Sequence, residues 1–213
     1  MTEQPTAPQT SGHTIHWARW YDLVSWLLSF GRGEAIRRTI VQESGVQARE
    51  SVLDVGCGTG TLALALGAKA GADGHVTGID ASTEMITVAR AKAKRQGAEV
   101  TFQVEAIESL SFAAQSFDLA TSTMMLHHLP DDVKQDGLAE LARVLKPGGR
   151  LLAVDFDSES GTILGHLFSV LGHKRGDSSY PAVETMLREA GFTAIEKVNT
   201  KYKQLMVVRA RKR

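Results

Sequence analysis

The sequence predicts an α/β protein built on a mostly parallel sheet covered on both faces. Three observations carry this. From residue 51 onward, short apolar segments alternate with longer segments of helical periodicity, the rhythm of strands joined by crossover helices. The first apolar segment, "VLDVGCGTG", runs straight into three glycines spaced by single residues, and open α/β sheets bind their ligands where such a strand ends. The last two apolar segments, "TAIEKVN" and "QLMVVRA", are separated only by a short polar stretch, too short for a crossover, so they pair antiparallel.

Taken in order, the N-terminus "MTEQPTAPQTSGHT" is polar and Pro-containing. It lacks the charged-then-apolar order of a signal peptide and reads as a disordered leader over residues 1–14. Trp17, Trp20, Val24, Leu27 and Leu28 fall on one face of a helix that Gly31 and Gly33 end, and all three tryptophans of the chain lie in it. A second helix is expected from about Glu34 to Glu43. Residues 15–50 are thus an N-terminal helical unit that could close over the site, ahead of a core spanning 51–213. In the core, "SVLDV" is a strand and "TLALALGAKA" a helix. "HVTGID" is a strand, and "STEMITVARAKAKRQG" a helix with Ser82 or Thr83 as N-cap and Gly97 as stop. "VTFQVE" and "SFDLATSTM" are strands. "DDVKQDGLAELARVL" places Leu138, Leu141, Ala142 and Leu145 on one helical face, "KPGG" is a turn, and "RLLAVDF" is a fifth strand. Residues 158–179 break the rhythm and read as an insertion. "PAVETMLREAG" is the last helix, with Pro181 at its start.

The totals bound the function. The 213 residues suffice for one sizeable core, and 24 Lys+Arg against 24 Asp+Glu give a formal net charge of zero. Nothing in that balance supports a nucleic-acid or acidic-membrane partner. A single cysteine, Cys57, excludes an internal disulfide and a Cys-based zinc or iron–sulfur site held by this chain alone, and fits a reducing compartment. No apolar run reaches about 18 residues, so no transmembrane helix is expected. A cytoplasmic enzyme is the expectation.

The glycines demand a ligand of particular charge. A dinucleotide fingerprint is G-x-G-x-x-G; here Gly56, Gly58 and Gly60 are spaced G-x-G-x-G, and Asp54 stands two residues before the first. A carboxylate there disfavours a diphosphate and favours a cationic amine. A glycine turn with no ligand is the plain alternative. Asp80 ends the next strand, where an acid can bond ribose hydroxyls.

Together "VLDVGCGTG", "VTGIDAS", "SFDLATSTMMLHHLPD" and "LKPGGRLLAVDF" resemble the class I S-adenosylmethionine-dependent methyltransferases, most closely the small-molecule, lipid and quinone branch, with a Tyr21-Asp22 pair near the start of the match. The resemblance runs from about Tyr21 to the C-terminus. It implies a Rossmann-like, doubly wound seven-stranded sheet with an antiparallel last strand, S-adenosyl-L-methionine as cofactor, S-adenosyl-L-homocysteine as product and a small-molecule, lipid-like or quinone-like acceptor. It also implies a cofactor site made of Tyr21, Asp54, Gly56, Cys57, Gly58, Gly60, Asp80, Ala81, Met85, Glu105, Ala106, Ile107 and Thr123. Asp54 and the glycines would hold the amino-acid end and Asp80 the ribose. Met85 would pack on the adenine, and Glu105-Ala106 and Ile107 would line it. For Met85 a core role, and for Glu105 a solvated turn, are the competing readings.

Thr121, Ser122 and Thr123 end the fourth strand, and His127 and His128 follow. Histidine is a natural general base near neutral pH, so both are catalytic candidates; the alternative is that "LHHL" merely opens the next helix. Adjacent imidazoles make no metal cage by themselves, and none is expected. "TSTMML" is not the Asn-Pro-Pro-Tyr type of segment used on exocyclic base amines, and one cysteine argues against arsenite chemistry. In-line attack on the sulfonium methyl needs chiefly alignment and exclusion of water. Two other functions stay open at this point: a nicotinamide-dependent oxidoreductase, and a cofactor-binding partner subunit without catalysis. Oligomeric state is left open by the sequence, integral membrane insertion is not expected, and peripheral contact through Trp17, Trp20 and Leu27 is open.

Overall fold

The computed structural model of the protein describes residues 33–157 and 179–213. The leader, the Trp-bearing helix with Tyr21, and nearly all of the insertion lie outside the described residues. Helix α1 spans Gly33–Ser44, β1 Ser51–Val55, α2 Thr61–Ala70, β2 His75–Asp80, α3 Thr83–Gln96 and β3 Val100–Val104. β4 spans Phe117–Thr123 and is followed by a 3₁₀ turn, Leu126–His128, then α4 Asp131–Val144 and β5 Leu145–Phe156. Helix α5 is Tyr180–Glu189, β6 Phe192–Lys197 and β7 Leu205–Lys212.

The seven strands form one sheet in the order β3-β2-β1-β4-β5-β7-β6. β3, β2, β1, β4 and β5 run parallel, while β7 is antiparallel to both β5 and β6. The sequence-based expectation of a parallel sheet closed by an antiparallel pair therefore holds, with β7 inserted between β5 and β6.

Strand side chains alternate between faces, and here neighbouring residues enter different cores. Val52, Val76 and Leu119 pack with Ala63, Leu66, Ile86 and Ala89 of α2 and α3. Leu152, Val154 and Val207 meet Ile40 of α1. On the opposite face Leu53, Ile79, Ala120, Leu151, Ala153 and Val208 pack with Leu138 and Leu141 of α4 and Leu187 of α5. Because both faces are covered, the central strands are nearly uninterrupted apolar runs.

Local signals set the boundaries. The Ser82 hydroxyl caps α3 by accepting the Met85 N–H, and Gly97 ends that helix in the left-handed conformation. "KPGG" differs from the expectation of a turn ahead of the strand. Leu145 already pairs with Phe117, and the next pair is Leu119 with Arg150, so Lys146–Gly149 bulge out within the range of β5. Gly148, at φ +75°, supplies the left-handed residue of that bulge.

Candidate functional site

Strand order reverses between β1 and β4, and the crevice of such a sheet opens at the carboxyl ends of those two strands. The glycine loop lies there. Gly56, Gly58 and Gly60 all have positive φ. An added Cβ on Gly56 would stand 2.5 Å from Met125 Cγ, and one on Gly60 2.5 Å from Phe102 Cζ, so the loop is both left-handed and closely packed. It is tied to β2: the Cys57 N–H donates to the Ile79 carbonyl and the Gly58 N–H to Asp80 Oδ2, both at 2.9 Å. On the helix side the Lys92 ammonium, 9% exposed, donates to the Thr59 and Thr61 hydroxyls at 3.0 and 2.7 Å.

Asp54 is the chemical centre of this region. It is 1% exposed, and Oδ1 accepts the Thr121 hydroxyl across the β1–β4 seam at 2.7 Å. Oδ2 is buried without a hydrogen-bond partner, as are Ser122 Oγ and Thr123 Oγ1 at the end of β4. Burial pushes the Asp54 carboxyl up to about 7, against the Thr121 bond, and the charge of Asp80 adds to the rise. The Ala63 N–H, in the uncapped first turn of α2, opposes it without closing a hydrogen bond on Oδ2. Asp80 is also raised by burial, opposed by the N–H groups of Ser82 and Gly58 that it accepts. Burial raises the Cys57 thiol well above its ordinary range, which makes it an inert wall residue rather than a nucleophile.

The other residues singled out in the sequence fall as follows. Ala81 is partly exposed beyond Asp80, and Met85 is buried in the first turn of α3. The Glu105 N–H donates to the Asp80 carbonyl, while its carboxylate accepts the Ser111 hydroxyl at 2.5 Å and the Ser111 N–H at 3.3 Å. Ala106 and Ile107 are buried, and Ile107 packs so closely on α4 that a Cβ at Gly137 would meet it at 2.8 Å. Tyr21 lies outside the described residues. His127 and His128 are in the 3₁₀ turn after β4, their ring centroids 3.9 Å apart. Three participants were not singled out: Lys92, Met125 and Asp155. For Asp155 a signal existed, an acid ending an apolar strand as Asp80 does. Among the described residues no group of three or more His, Cys, Asp or Glu could hold a metal ion. Also among them, no helix is long and apolar enough to cross a membrane.

Comparison with known proteins decides the family. A family profile described as a methyltransferase domain matches residues 52–149. The ubiquinone/menaquinone biosynthesis C-methyltransferase of Geotalea daltonii is 34% identical over 170 residues, covering 79% of this chain and 71% of the relative. The chain belongs to the class I S-adenosylmethionine-dependent methyltransferases. The enzyme of the same name from Bdellovibrio bacteriovorus is 35% identical over 149 residues, 70% of this chain. The chain spans only 62–63% of the length of the first such relatives. Among solved structures, a SAM-dependent methyltransferase from Methanosarcina mazei aligns with a TM-score of 0.66 at 26% identity, covering 81% of this chain and 96% of the other. The seven-stranded sheet is thus the methyltransferase sheet, and the nicotinamide alternative is not favoured.

Proposed function

We propose that this methyltransferase moves a methyl group from S-adenosyl-L-methionine to a small, quinone-like acceptor. One observation carries the reading: Asp54 Oδ2 is buried without a partner at the point where the strand order reverses, and Thr123 Oγ1, on the same face of β4 as Thr121, also lacks one. Buried polar groups left unpaired are costly, and a buried carboxylate oxygen with no donor suits an ammonium better than any anion. The residues therefore fit the amino-acid end of that cofactor.

In this reading Asp54 binds the amine and Gly56, Cys57, Gly58 and Gly60 offer backbone to it. Asp80, with Ala81 beside it, takes the ribose hydroxyls on carboxylate lone pairs that the Gly58 and Ser82 N–H groups leave open. Met85, Ala106 and Ile107 bound the adenine, with Glu105 at its edge. The cofactor supplies a methyl group already activated on positive sulfur. The chain's own task is to hold the acceptor in line and keep water out. The quinone-like acceptor is drawn from the named activity of the relatives. A cytoplasmic location goes with this reading, and passing contact with a membrane surface would bring a lipid-like quinol to the site.

The test is incubation with methyl-labelled S-adenosylmethionine and an unmethylated naphthohydroquinone kept reduced. Label on a ring carbon is expected. Tight binding of S-adenosylhomocysteine with no label transferred to this or other hydroquinones would instead favour a non-catalytic binding subunit.

A further inference from the structure

Asp155, near the end of β5, turns both carboxylate oxygens to a single residue. Oδ2 accepts the His127 backbone N–H at 2.9 Å, and Oδ1 lies 2.5 Å from His127 Nδ1. Oδ1 also accepts the Phe156 N–H at 2.8 Å. The Asp155 side chain is 2% exposed and that of His127 16%. The imidazole is held on its other sides by Phe156, edge-on at 5.4 Å, and by His128. Thr123 pairs with Val154, so the two residues sit side by side where β4 and β5 end, Asp155 being two strands from Asp54 in the order β1-β4-β5. Among the described residues, the titratable groups facing the ring are Asp155 on β5 and His128 on its own turn.

An ionised carboxylate only accepts hydrogen bonds, so Nδ1 carries the hydrogen and Nε2 of the neutral ring carries the lone pair. Nε2 makes no hydrogen bond among the described residues. The buried Asp155 carboxylate draws partners from this turn, and the same contact fixes the imidazole. The turn that carries it follows β4, one of the two strands that flank the crevice, and a neutral hydroxyl on an acceptor must lose its proton to a base as the new bond forms.

We propose that His127 takes the proton of a ring hydroxyl on the acceptor, and that Asp155 is the positioning residue that sets its tautomer. The inference rests on the methyltransferase reading and narrows its acceptors to phenols and hydroquinones that are neutral at working pH. The acceptor O–H bond breaks to Nε2, and the electron pair is delocalised onto the ring carbon. The carbon–methyl bond forms as the sulfur–methyl bond breaks, leaving its electron pair on sulfur. The ring C–H hydrogen then leaves as a proton to water, and the oxygen regains its proton from Nε2. One proton is released to solvent in sum.

The test uses the full-length chain and the variants His127→Gln, His127→Asn and Asp155→Asn. Long-range ¹H–¹⁵N correlation at pH 8 reads the tautomer of His127 without any turnover. The expected result is hydrogen on Nδ1 in the wild type and a shift toward hydrogen on Nε2 in Asp155→Asn. S-adenosylhomocysteine affinity should stay within about twofold in all variants. Methyl transfer to a naphthohydroquinone should fall about 10²–10⁴-fold in both His127 variants and recover as pH approaches the ionisation of the acceptor itself. Hydrogen on Nε2 in the wild type would overturn the proposal. So would loss of cofactor affinity in the His127 variants, or turnover and a pH profile that they leave unchanged. Absence of turnover in the wild type would count against the quinone-like acceptor, while the tautomer still decides the dyad.

Discussion

Asp54 and Thr121 join the two strands that flank the crevice: the Thr121 hydroxyl donates to one carboxylate oxygen at 2.7 Å while the other is buried without a partner. The carboxyl is thereby poised, raised from 3.8 to about 7 mainly by burial. An acid raised in the folded state favours folding when protonated. That contribution is complete below about pH 4 and is lost as pH rises through 7. Asp54→Asn cannot ionise, so at pH 8 the ligand-free variant should melt higher than wild type, by the equivalent of at most about 4 kcal/mol. It should also lose the thermal shift given by S-adenosylhomocysteine. Melting curves from pH 5 to 8 check both; an Asn variant that melts lower at pH 8 would show that the carboxylate is satisfied.

Asp80 does two jobs that one substitution separates. It accepts the Gly58 and Ser82 N–H groups at 2.9 Å, fixing the glycine loop, and it is placed for ribose. Asp80→Ala should weaken S-adenosylhomocysteine binding by about 1.5–3 kcal/mol. It should also speed hydrogen exchange at the Gly58 amide in the ligand-free protein. Calorimetry and exchange on one sample decide; unchanged affinity in a folded variant removes Asp80 from the site.

Gly60 has no room for a methyl group. Its φ is +75°, and a Cβ would stand 2.5 Å from Phe102 and 2.9 Å from Ala89. Gly60→Ala should cost about 1–2 kcal/mol for the left-handed backbone and about 1–3 kcal/mol for overpacking. Adding Phe102→Leu should recover part of the second cost and none of the first. Urea denaturation of the single and double variants measures the coupling; strict additivity would mean that the ring moves aside freely.

Lys92 braces the same loop from α3 through Thr59 and Thr61. Lys92→Met keeps the aliphatic stem and removes the donor, so two threonine hydroxyls lose a charged partner. A loss of about 1–3 kcal/mol in stability, with weaker cofactor binding, is expected from chemical denaturation and titration. An unchanged midpoint would show that water replaces the ammonium.

Much of this architecture was legible because period and punctuation agree. Val52 and Leu53, or Leu151 and Leu152, belong to apolar runs that only a sheet buried on both faces accommodates. Ser82 and Gly97 announce the ends of α3. The glycines after Asp54 carry both a conformation and a place. What stayed hidden depends on partners far away in the chain. The Asp54–Thr121 bond joins residues 67 positions apart, and Asp155 is an ordinary strand-end acid until the fold brings it to His127. "KPGG" reads as a turn because its residues are turn formers; only the pairing of Leu145 with Phe117 makes it a bulge inside β5.

The most direct test of the crevice is calorimetric titration of the wild-type chain with S-adenosylhomocysteine and with NADH, near pH 7, in two buffers of different ionisation enthalpy. An amine seated on Asp54 lowers a carboxyl that stands at about 7 in the ligand-free protein. S-adenosylhomocysteine should therefore bind with release of about half a proton. Its affinity should rise from pH 6 to pH 8, Asp54→Asn should show no such release, and NADH should not bind. Binding of NADH without S-adenosylhomocysteine, or proton release identical in Asp54→Asn, would contradict the assignment of this crevice.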